Sequence, residues 1–236
     1  MTPALDWDGQ WLAFGAVGLA LLVPAWLWMP APQPVQAVSA APAAPRRGLS
    51  LGMWLLIASY FFAGIGFVIS ATFVVAATEK QPALAGSGSI VWIVVGLAAM
   101  PATFAWDRVA RRTGEVAALI AAFCLQGLSS MLPVLSPHLW AALAGAALFG
   151  ITAIGIVSLM LTLVGRRNGA NPSQAMARLT LSYGVAQIVA PAFVGTVAER
   201  TGSYDAGMWL AALAMFAGAL VLAFYGRVER RASAAA

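Results

Sequence analysis

The sequence predicts an all-α membrane protein with seven transmembrane helices. Hydrophobic residues make up 61% of the 236 positions, charged residues only 9%, and the mean hydropathy is +0.86. Soluble domains are about half apolar and about one quarter charged. Several apolar runs also exceed the length of about 18 residues at which a helix is able to cross a hydrocarbon core. Composition and run length together exclude a soluble globular domain.

The charged and metal-binding residue types exclude two further classes of protein. The net charge is +5 and the pI about 10.1, but the arginines fall in short separate loops rather than on one basic face, so nucleic-acid binding is not predicted. Cys124 is the single cysteine and His138 the single histidine, which leaves no set of His and Cys ligands for a metal ion. We expect no metal and no other cofactor.

The first predicted span covers residues 11–29 and is followed by a linker, residues 30–50. No Lys or Arg precedes this span, and a cleaved signal peptide needs a positive n-region, so we expect a retained helix. The linker interleaves prolines with alanines, a composition typical of an extended cytoplasmic tether. The predicted organisation is an N-terminal helix (1–29), the linker (30–50), a six-helix bundle (51–226) and a cytoplasmic tail (227–236).

Six further spans follow the linker. Charged turns, glycines and prolines separate the apolar runs from one another. Ser136-Pro137 and Asn171-Pro172 are each typical of a helix N-cap followed by proline at the first helical position. The predicted spans are residues 51–78, 88–106, 116–133, 138–164, 174–198 and 206–225.

The basic residues predict how these spans are threaded through the membrane. With alternating sides, all but two of the 13 Lys and Arg residues fall on one side, and Lys80 and Arg200 fall on the other. Short loops rich in Lys and Arg stay in the cytoplasm. We therefore expect a multi-pass protein of the inner (cytoplasmic) membrane, with the N-terminus outside and the C-terminus cytoplasmic. The majority set is Arg46, Arg47, Arg108, Arg111, Arg112, Arg166, Arg167, Arg178, Arg227, Arg230 and Arg231.

Two charged turns on opposite faces indicate an internal repeat. The span at 88–106 ends in a charged hairpin, WDRVARRTG (residues 106–114), and the span at 174–198 ends in GTVAERTGSY (residues 195–204). Each has an acid–Arg pair and then Thr-Gly just past a predicted helix end. Two helix triplets of inverted topology are a known transporter construction. Chance similarity of two short turns is the alternative interpretation.

Four segments carry a resemblance to a known family: YFFAGIGFVISATF (60–73), WDRVARR (106–112), YGVAQIVAP (183–191) and AERTGSYD (198–205). Over residues 51–225 the chain resembles the C-terminal half of a major facilitator superfamily transporter, more narrowly the YbfB/YjiJ-type branch. The loop signature of that superfamily is G-x-x-x-D-R-x-G-R-R. Thr103 and Ala110 replace its glycines, which weakens the expectation of a close helix approach at this loop. The residues that fit the signature are Asp107, Arg108, Arg111 and Arg112.

The resemblance implies a secondary active transporter that moves a small organic solute by alternating access and is coupled to protons. The last six spans would form one half of such a carrier, built from two inverted three-helix repeats. The first span and the linker would correspond to the sixth span and the central linker of a twelve-span carrier. We therefore expect five more spans upstream of Met1, in a missing or separately encoded N-terminal half, and a truncated chain here. Because no ionisable residue is predicted at mid-membrane, the proton-binding group is expected in that other half.

The resemblance also implies a conformational role for the charged residues. In such carriers the acid of this loop docks on a facing helix end and stabilises the outward-open state. An acid at a helix C-terminus faces the negative end of the dipole, so Asp107 needs a partner, either a neighbouring arginine or the helix start near residues 171–173. A solvated topology anchor is the competing interpretation. The expected gating residues are Asp107, Arg108, Arg111 and Arg112, with Glu199 and Arg200 on the opposite face.

Uncharged polar residues within the spans are candidates for a substrate cavity. Tyr183 and Gln187 are four residues apart and share a helix face. For Ser and Thr, the competing interpretation is a hydrogen bond to their own helix or packing between helices. For the glutamines, the competing interpretation is an interhelical hydrogen bond. The candidates are Tyr60, Ser70, Thr72, Gln126, Tyr183 and Gln187.

Small residues and tryptophans add two packing predictions. Small residues at four-residue spacing allow helices to approach closely, and tryptophans near span ends are expected at the membrane interface. The small residues are Ala142, Ala146, Gly150, Gly66 and Ser70. The tryptophans include Trp92, Trp106, Trp140 and Trp209.

A non-transport membrane scaffold or receptor module is the alternative function. A retinal protein needs a buried lysine for its Schiff base, and the one lysine, Lys80, lies in a predicted loop. A membrane enzyme needs a cluster of acids, His or Ser in one site, and the spans show no such cluster. The sequence therefore predicts a protein that is not an enzyme and whose partners are the lipid bilayer and a small-molecule substrate.

Overall fold

The computed structural model describes residues 7–29, 49–79, 86, 88–168 and 172–234. Within these residues the chain is all helical, which confirms the predicted class. Residues 30–48 of the linker, which include Arg46 and Arg47, lie outside the described residues, as do Lys80 and Asn171. The helices are α1 (Trp7–Trp28), α2 (Leu51–Glu79), α3 (Gly88–Ala99), α4 (Ala102–Thr113), α5 (Glu115–Leu135), α6 (Leu139–Arg167), α7 (Pro172–Thr201) and α8 (Asp205–Ala234).

In the described part of the chain, six helices are each long and apolar enough to cross a membrane, namely α1, α2, α5, α6, α7 and α8. The pair α3 and α4 passes the same test together, which gives the predicted seven if the pair is one span. The pair bends by 47° at its junction, where Pro101 lacks the N–H that would continue the helical ladder. The span predicted at 88–106 is therefore made of two helices, and the second of them continues to Thr113.

The two predicted helix caps differ in outcome. Pro172 is the first residue of α7, as a proline at the first helical position predicts. Ser136 instead ends α5 as its C-cap, and α6 begins at Leu139 with His138 as its N-cap. Ser136-Pro137 therefore lies between two helices and does not open one.

The chain divides into two compact units, Met1–Gly48 and Leu49–Ala236. The described helix of the first unit is α1, an apolar helix with Pro24 in its interior. In the second unit, α2 packs along α7 and α8, α6 packs along α3, α4 and α5, and α5 packs along α8. The pattern is symmetric. α2 packs on α7 and α8 in the same way as α6 packs on the α3–α4 pair and α5, and α5 and α8 pack on each other.

Small residues bring the helices of the second unit close together, as predicted. Ala142 and Ala146 are buried in α6, and one turn further Gly150 lies against the backbone carbonyl of Val95 in α3. Gly66 of α2 lies against Met215 of α8. These contacts leave no room for a Cβ atom at either glycine, so the spacing does indicate helix–helix packing.

Trp106 is not an interfacial anchor, contrary to the prediction. Its side chain is buried, and its indole N–H donates a hydrogen bond to the carbonyl of Ile151 in α6 at 2.8 Å. The ring lies directly over Gly155, where a Cβ atom would overlap it. The glycine that permits close approach is therefore on α6, rather than in the charged segment where Thr103 and Ala110 replace glycines.

Side-chain contacts show which helix ends of the second unit lie together. Glu115 at the start of α5 pairs with Arg166 at the end of α6, and Arg167 pairs with Glu229 near the end of α8. Met176 near the start of α7 lies beside Gly165 of α6. We call this end, where α5 and α7 begin and α4, α6 and α8 end, the basic end. Its described arginines are Arg108, Arg111, Arg112, Arg166, Arg167, Arg178, Arg227, Arg230 and Arg231.

Gly155→Ala is expected to lower the thermal stability of the purified protein. The added methyl group would displace the Trp106 ring and break its bond to Ile151, at a cost of about 1–3 kcal/mol for overpacking. The measurement is the unfolding midpoint in detergent by scanning fluorimetry. Gly96→Ala in α3 is the matched control, because a Cβ there meets no atom within 4 Å. Equal midpoints for the two variants would contradict the docking of α4 on α6.

Candidate functional site

The charged segment forms the last two turns of α4, so the expected hairpin beginning at Trp106 is wrong. α4 ends at Thr113, and the turn is made by Gly114, whose φ of +91° suits glycine. Asp107 accepts a hydrogen bond from Arg111 one helical turn later, at 2.8 Å. This is the first of the two partners expected for Asp107. Arg108 and Arg112 are exposed, and no carboxylate pairs with them among the described residues.

A second ion pair faces the first across a small pocket at the basic end. Glu115, the first residue of α5, accepts a hydrogen bond from Arg166 at 2.7 Å. Only 20% of the Glu115 side chain is exposed, against 48% for Asp107. A pocket of about 250 Å³ is lined by both pairs and by Ser158 and Thr162 of α6. Two acid–arginine pairs from three helices therefore share one aqueous space.

Glu115 was missed by the sequence analysis, although a signal for it exists. An acid in the first turn of a helix is favoured by the positive end of the dipole, and Glu115 directly follows the turn residue Gly114. In the sequence, its partner Arg166 indicates topology only. Residues 51 positions apart give no local pattern from which such a pair could be predicted.

The neighbouring arginine at the end of α6 reaches a different helix. Arg167 donates to Glu229 of α8, and Glu229 also accepts a hydrogen bond from the Tyr225 hydroxyl at 3.1 Å. A single exposed ion pair stabilises a protein little. Here two adjacent arginines tie α6 to both α5 and α8, so the pairs belong to one network at the basic end.

The charges expected at the opposite end are placed differently. Glu199 and Arg200 lie exposed in the last turn of α7 rather than past its end, and no described residue pairs with either of them. The Thr-Gly turns at the ends of α4 and α7 nevertheless resemble each other. Thr113 and Thr201 each end a helix and each donate to the carbonyl four residues earlier, at 3.0 and 2.9 Å.

The glycines of these turns agree as well. Gly114 and Gly202 both have positive φ, +91° and +71°. Each N–H donates to the carbonyl four residues earlier, in Ala110 at 2.9 Å and in Ala198 at 2.8 Å. The ends of α4 and α7 thus share a positive-φ glycine and the same pattern of hydrogen bonds, at opposite ends of the bundle.

Half of the candidate cavity residues lie at the contact between α2 and α7. The rings of Tyr60 and Tyr183 are 4.6 Å apart between centroids. Tyr183 also contacts Phe67 at 6.0 Å, and Phe67 stacks on Phe149 of α6 at 5.7 Å. Gln187 follows Tyr183 by one turn and is half-buried. These aromatic side chains form a continuous contact through α7, α2 and α6.

The other half is divided between the bundle interior and its surface. Ser70 and Ser130 share a hydrogen bond of 2.9 Å between α2 and α5, which is the packing role considered for the serine. Gln126 is 1% exposed, and its side-chain oxygen has no hydrogen-bond partner among the residues that the structure describes. Thr72 is exposed. The six candidates therefore do not converge on one cavity.

Gln126→Met is expected to raise the unfolding midpoint. A buried polar group left without a partner costs about 1–3 kcal/mol, and methionine keeps a similar volume without the orphaned oxygen. Ser130→Ala, one turn along the same helix, is expected to lower the midpoint because Ser70 loses its interhelical partner. Thermal scanning of both purified variants in one detergent measures this. A midpoint for Gln126→Met below that of the wild type would show that the amide makes a stabilising contact.

Comparison with known proteins agrees with this architecture. The profile of the family described as "Uncharacterised MFS-type transporter YbfB" matches residues 1–223. No curated protein matches the chain. The matched segment includes α1 and nearly all of the helical bundle that forms the second unit. The chain therefore belongs to the YbfB-type family of major facilitator superfamily transporters, as a multi-pass membrane protein with a general role in transport.

Proposed function

We propose that the protein takes part in secondary active transport of a small organic solute by alternating access, coupled to protons in the full-length carrier. The observation that carries this proposal is the packing pattern of the second unit. Each helix of the first group of three spans has the same main neighbours as its counterpart in the second group. Many secondary transporters are built from such pairs of equivalent helix groups, with the substrate site near the middle of the membrane. Membership of a transporter family supports the same mechanism.

Two groups of three spans are proposed to be inverted repeats. The first group is α2, the α3–α4 pair and α5, and the second is α6, α7 and α8. The Thr-Gly turns at the ends of α4 and α7 support this, because they share glycine conformation and hydrogen bonds while pointing to opposite ends of the bundle. The similarity of the two turns therefore includes the positive φ of the glycine and the hydrogen bonds of Thr and Gly, in addition to the shared Arg-Thr-Gly sequence.

The basic end is proposed to act as a gate. Asp107 and Glu115 face one pocket with their arginines, and the Glu115–Arg166 pair connects the start of α5 to the end of α6. Breaking Glu115–Arg166 would release α6 from α5, whereas Asp107–Arg111 lies within one helix. Glu115 and Arg166 therefore join Asp107, Arg108, Arg111 and Arg112 as proposed gating residues. Glu199 and Arg200 are proposed as the counterpart at the opposite end.

A central site is proposed along the contact of α2 and α7. Tyr183 and Gln187 are half-buried on one face of α7, and Tyr60 backs that face. An aromatic ring beside an amide offers both stacking and hydrogen bonding to an organic solute. Ser70 and Gln126 lie in the interior of the bundle, and we propose structural roles for them.

The chain is proposed to be the C-terminal half of a twelve-span carrier, with its basic end in the cytoplasm of an inner membrane. All described arginines of the second unit except Arg200 lie at that end, which agrees with retention of positive loops in the cytoplasm. Large apolar side chains are exposed along α3, α4 and α7, among them Ile93, Phe104 and Ile188. We propose that the other half covers part of this surface.

Transport is tested by uptake into vesicles that contain the chain together with any coding sequence upstream of Met1. A panel of radiolabelled carboxylic acids, amino acids and sugars is offered with and without an imposed pH gradient. At least one solute is expected to enter faster with the gradient and to lose this increment when a protonophore is added. Uptake of every solute at the rate of empty vesicles, with the protein confirmed in the membrane, would refute the proposal.

The gate is tested on the same solute with Glu115→Gln. Loss of the ion pair between α5 and α6 is expected to change the uptake rate about tenfold, which corresponds to about 1.4 kcal/mol between the two states. Arg231→Gln is the matched control, because this exposed arginine at the same end is not a proposed gating residue and has no carboxylate partner among the described residues. Equal rates for the two variants would leave the ion pair without a role in gating.

Orientation is tested with single cysteines in a Cys124→Ser background. Arg108→Cys is expected to react with a membrane-impermeant maleimide only after intact cells are permeabilised, and Arg200→Cys is expected to react before. The physical reason is that these positions lie at opposite ends of the bundle. Reaction of both positions from the same side would overturn the proposed threading.

A further inference from the structure

A groove at the basic end lies outside the proposed gate. It is a cavity of about 430 Å³ between the start of α5 and the end of α8. Its inner wall is apolar and includes Val116, Ile120 and Ala223, and its rim is basic and includes Arg167, Arg227 and Arg230. Apolar and basic side chains line the same space, so the groove is amphipathic.

At the rim, the acidic side chains are paired with arginines, whereas two of the arginines have no acidic partner among the described residues. Glu115 and Glu229 also line the groove, but Glu115 pairs with Arg166, and Glu229 pairs with Arg167 and accepts a hydrogen bond from Tyr225. Both carboxylates are therefore neutralised by α6. Arg227 and Arg230 are exposed, and within the described part of the chain no carboxylate pairs with either of them. The net field at the rim is positive.

The surroundings of the groove indicate what sort of anion fits. Leu220 and Phe224 of α8 are exposed beside it, as are Ala117 and Ala121 of α5. This is an apolar flank of the kind that faces lipid. A free inorganic anion would use the arginines only, whereas a phospholipid would place its phosphate at the rim and its acyl chains along the apolar wall.

We propose that this groove between α5 and α8 binds the headgroup of an anionic phospholipid, with Arg227 and Arg230 on the phosphate. Basic pockets between membrane helices are suited to such headgroups. Guanidinium groups bind phosphate oxygens through paired N–H donors. The free N–H groups in the first turn of α5 add further donors at the same place. The bound lipid would bridge α5 and α8, and the proposal does not depend on the transported solute or on coupling.

The test measures binding of phosphatidylglycerol, phosphatidylcholine and inorganic phosphate to the purified full chain in detergent, by native mass spectrometry and by the shift in unfolding midpoint. Phosphatidylglycerol is expected to bind and to raise the midpoint, and the other two are not. The double variant Arg227→Gln/Arg230→Gln is expected to bind this lipid about thirtyfold more weakly, since each basic residue near an anionic lipid contributes about 1 kcal/mol.

Two further variants keep the result interpretable. Arg112→Gln/Arg231→Gln removes the same charge from the same end without touching the groove, and it is expected to bind like the wild type. Arg227→Lys/Arg230→Lys keeps the charge and is expected to retain most of the binding, even if the glutamine variant is unstable. Equal binding of both phospholipids, equal loss in the two arginine-to-glutamine variants, or competition by inorganic phosphate at the same concentration as the lipid would each overturn the proposal.

Discussion

The basic end depends on the last two residues of α6. Adjacent residues on a helix point about 100° apart, so Arg166 and Arg167 reach different neighbours, Glu115 of α5 and Glu229 of α8. The first pair lines the pocket of the proposed gate, and the second neutralises Glu229 beside the groove proposed to bind lipid. Two helices, α5 and α8, are thereby held to a third, α6, by adjacent arginines that in the sequence alone look like a topology signal.

The helical architecture was predictable from the sequence because apolar length and composition are local properties. The positions of the spans, the small-residue contacts at Gly150 and Gly66, and the matching Thr-Gly turns all follow from short windows of residues. The break between α3 and α4 also had a local signal in Pro101, but the apolar run continues across it. Apolar length alone does not distinguish a straight span from a bent one.

The side-chain contacts were less predictable, for two physical reasons. Ion pairs such as Glu115–Arg166 join residues that are far apart in sequence, and a single sequence has no signal for them. In a membrane protein, moreover, lipid-facing and core-facing surfaces are both apolar, so the face on which Thr72 or Gln126 lies cannot be inferred from its neighbours. Trp106 illustrates the same limit, because its position near a span end is typical of an interfacial residue although its ring is buried on Gly155.

The uninterrupted length of α6 links three of the contacts described above. It carries Arg166 near one end, the seat of the Trp106 ring at Gly155 in its middle, and Phe149 of the aromatic contact with α2 further along. Phe149 and Arg166 are separated by about 25 Å at 1.5 Å per residue, and the helix between them is uninterrupted. If α6 tilted as a rigid helix when the Arg166 ion pair broke, Phe149 would move and would shift the Phe67 ring that is stacked on it. A change of ion pairing at the basic end would then be coupled mechanically to the aromatic contact between α2 and α7.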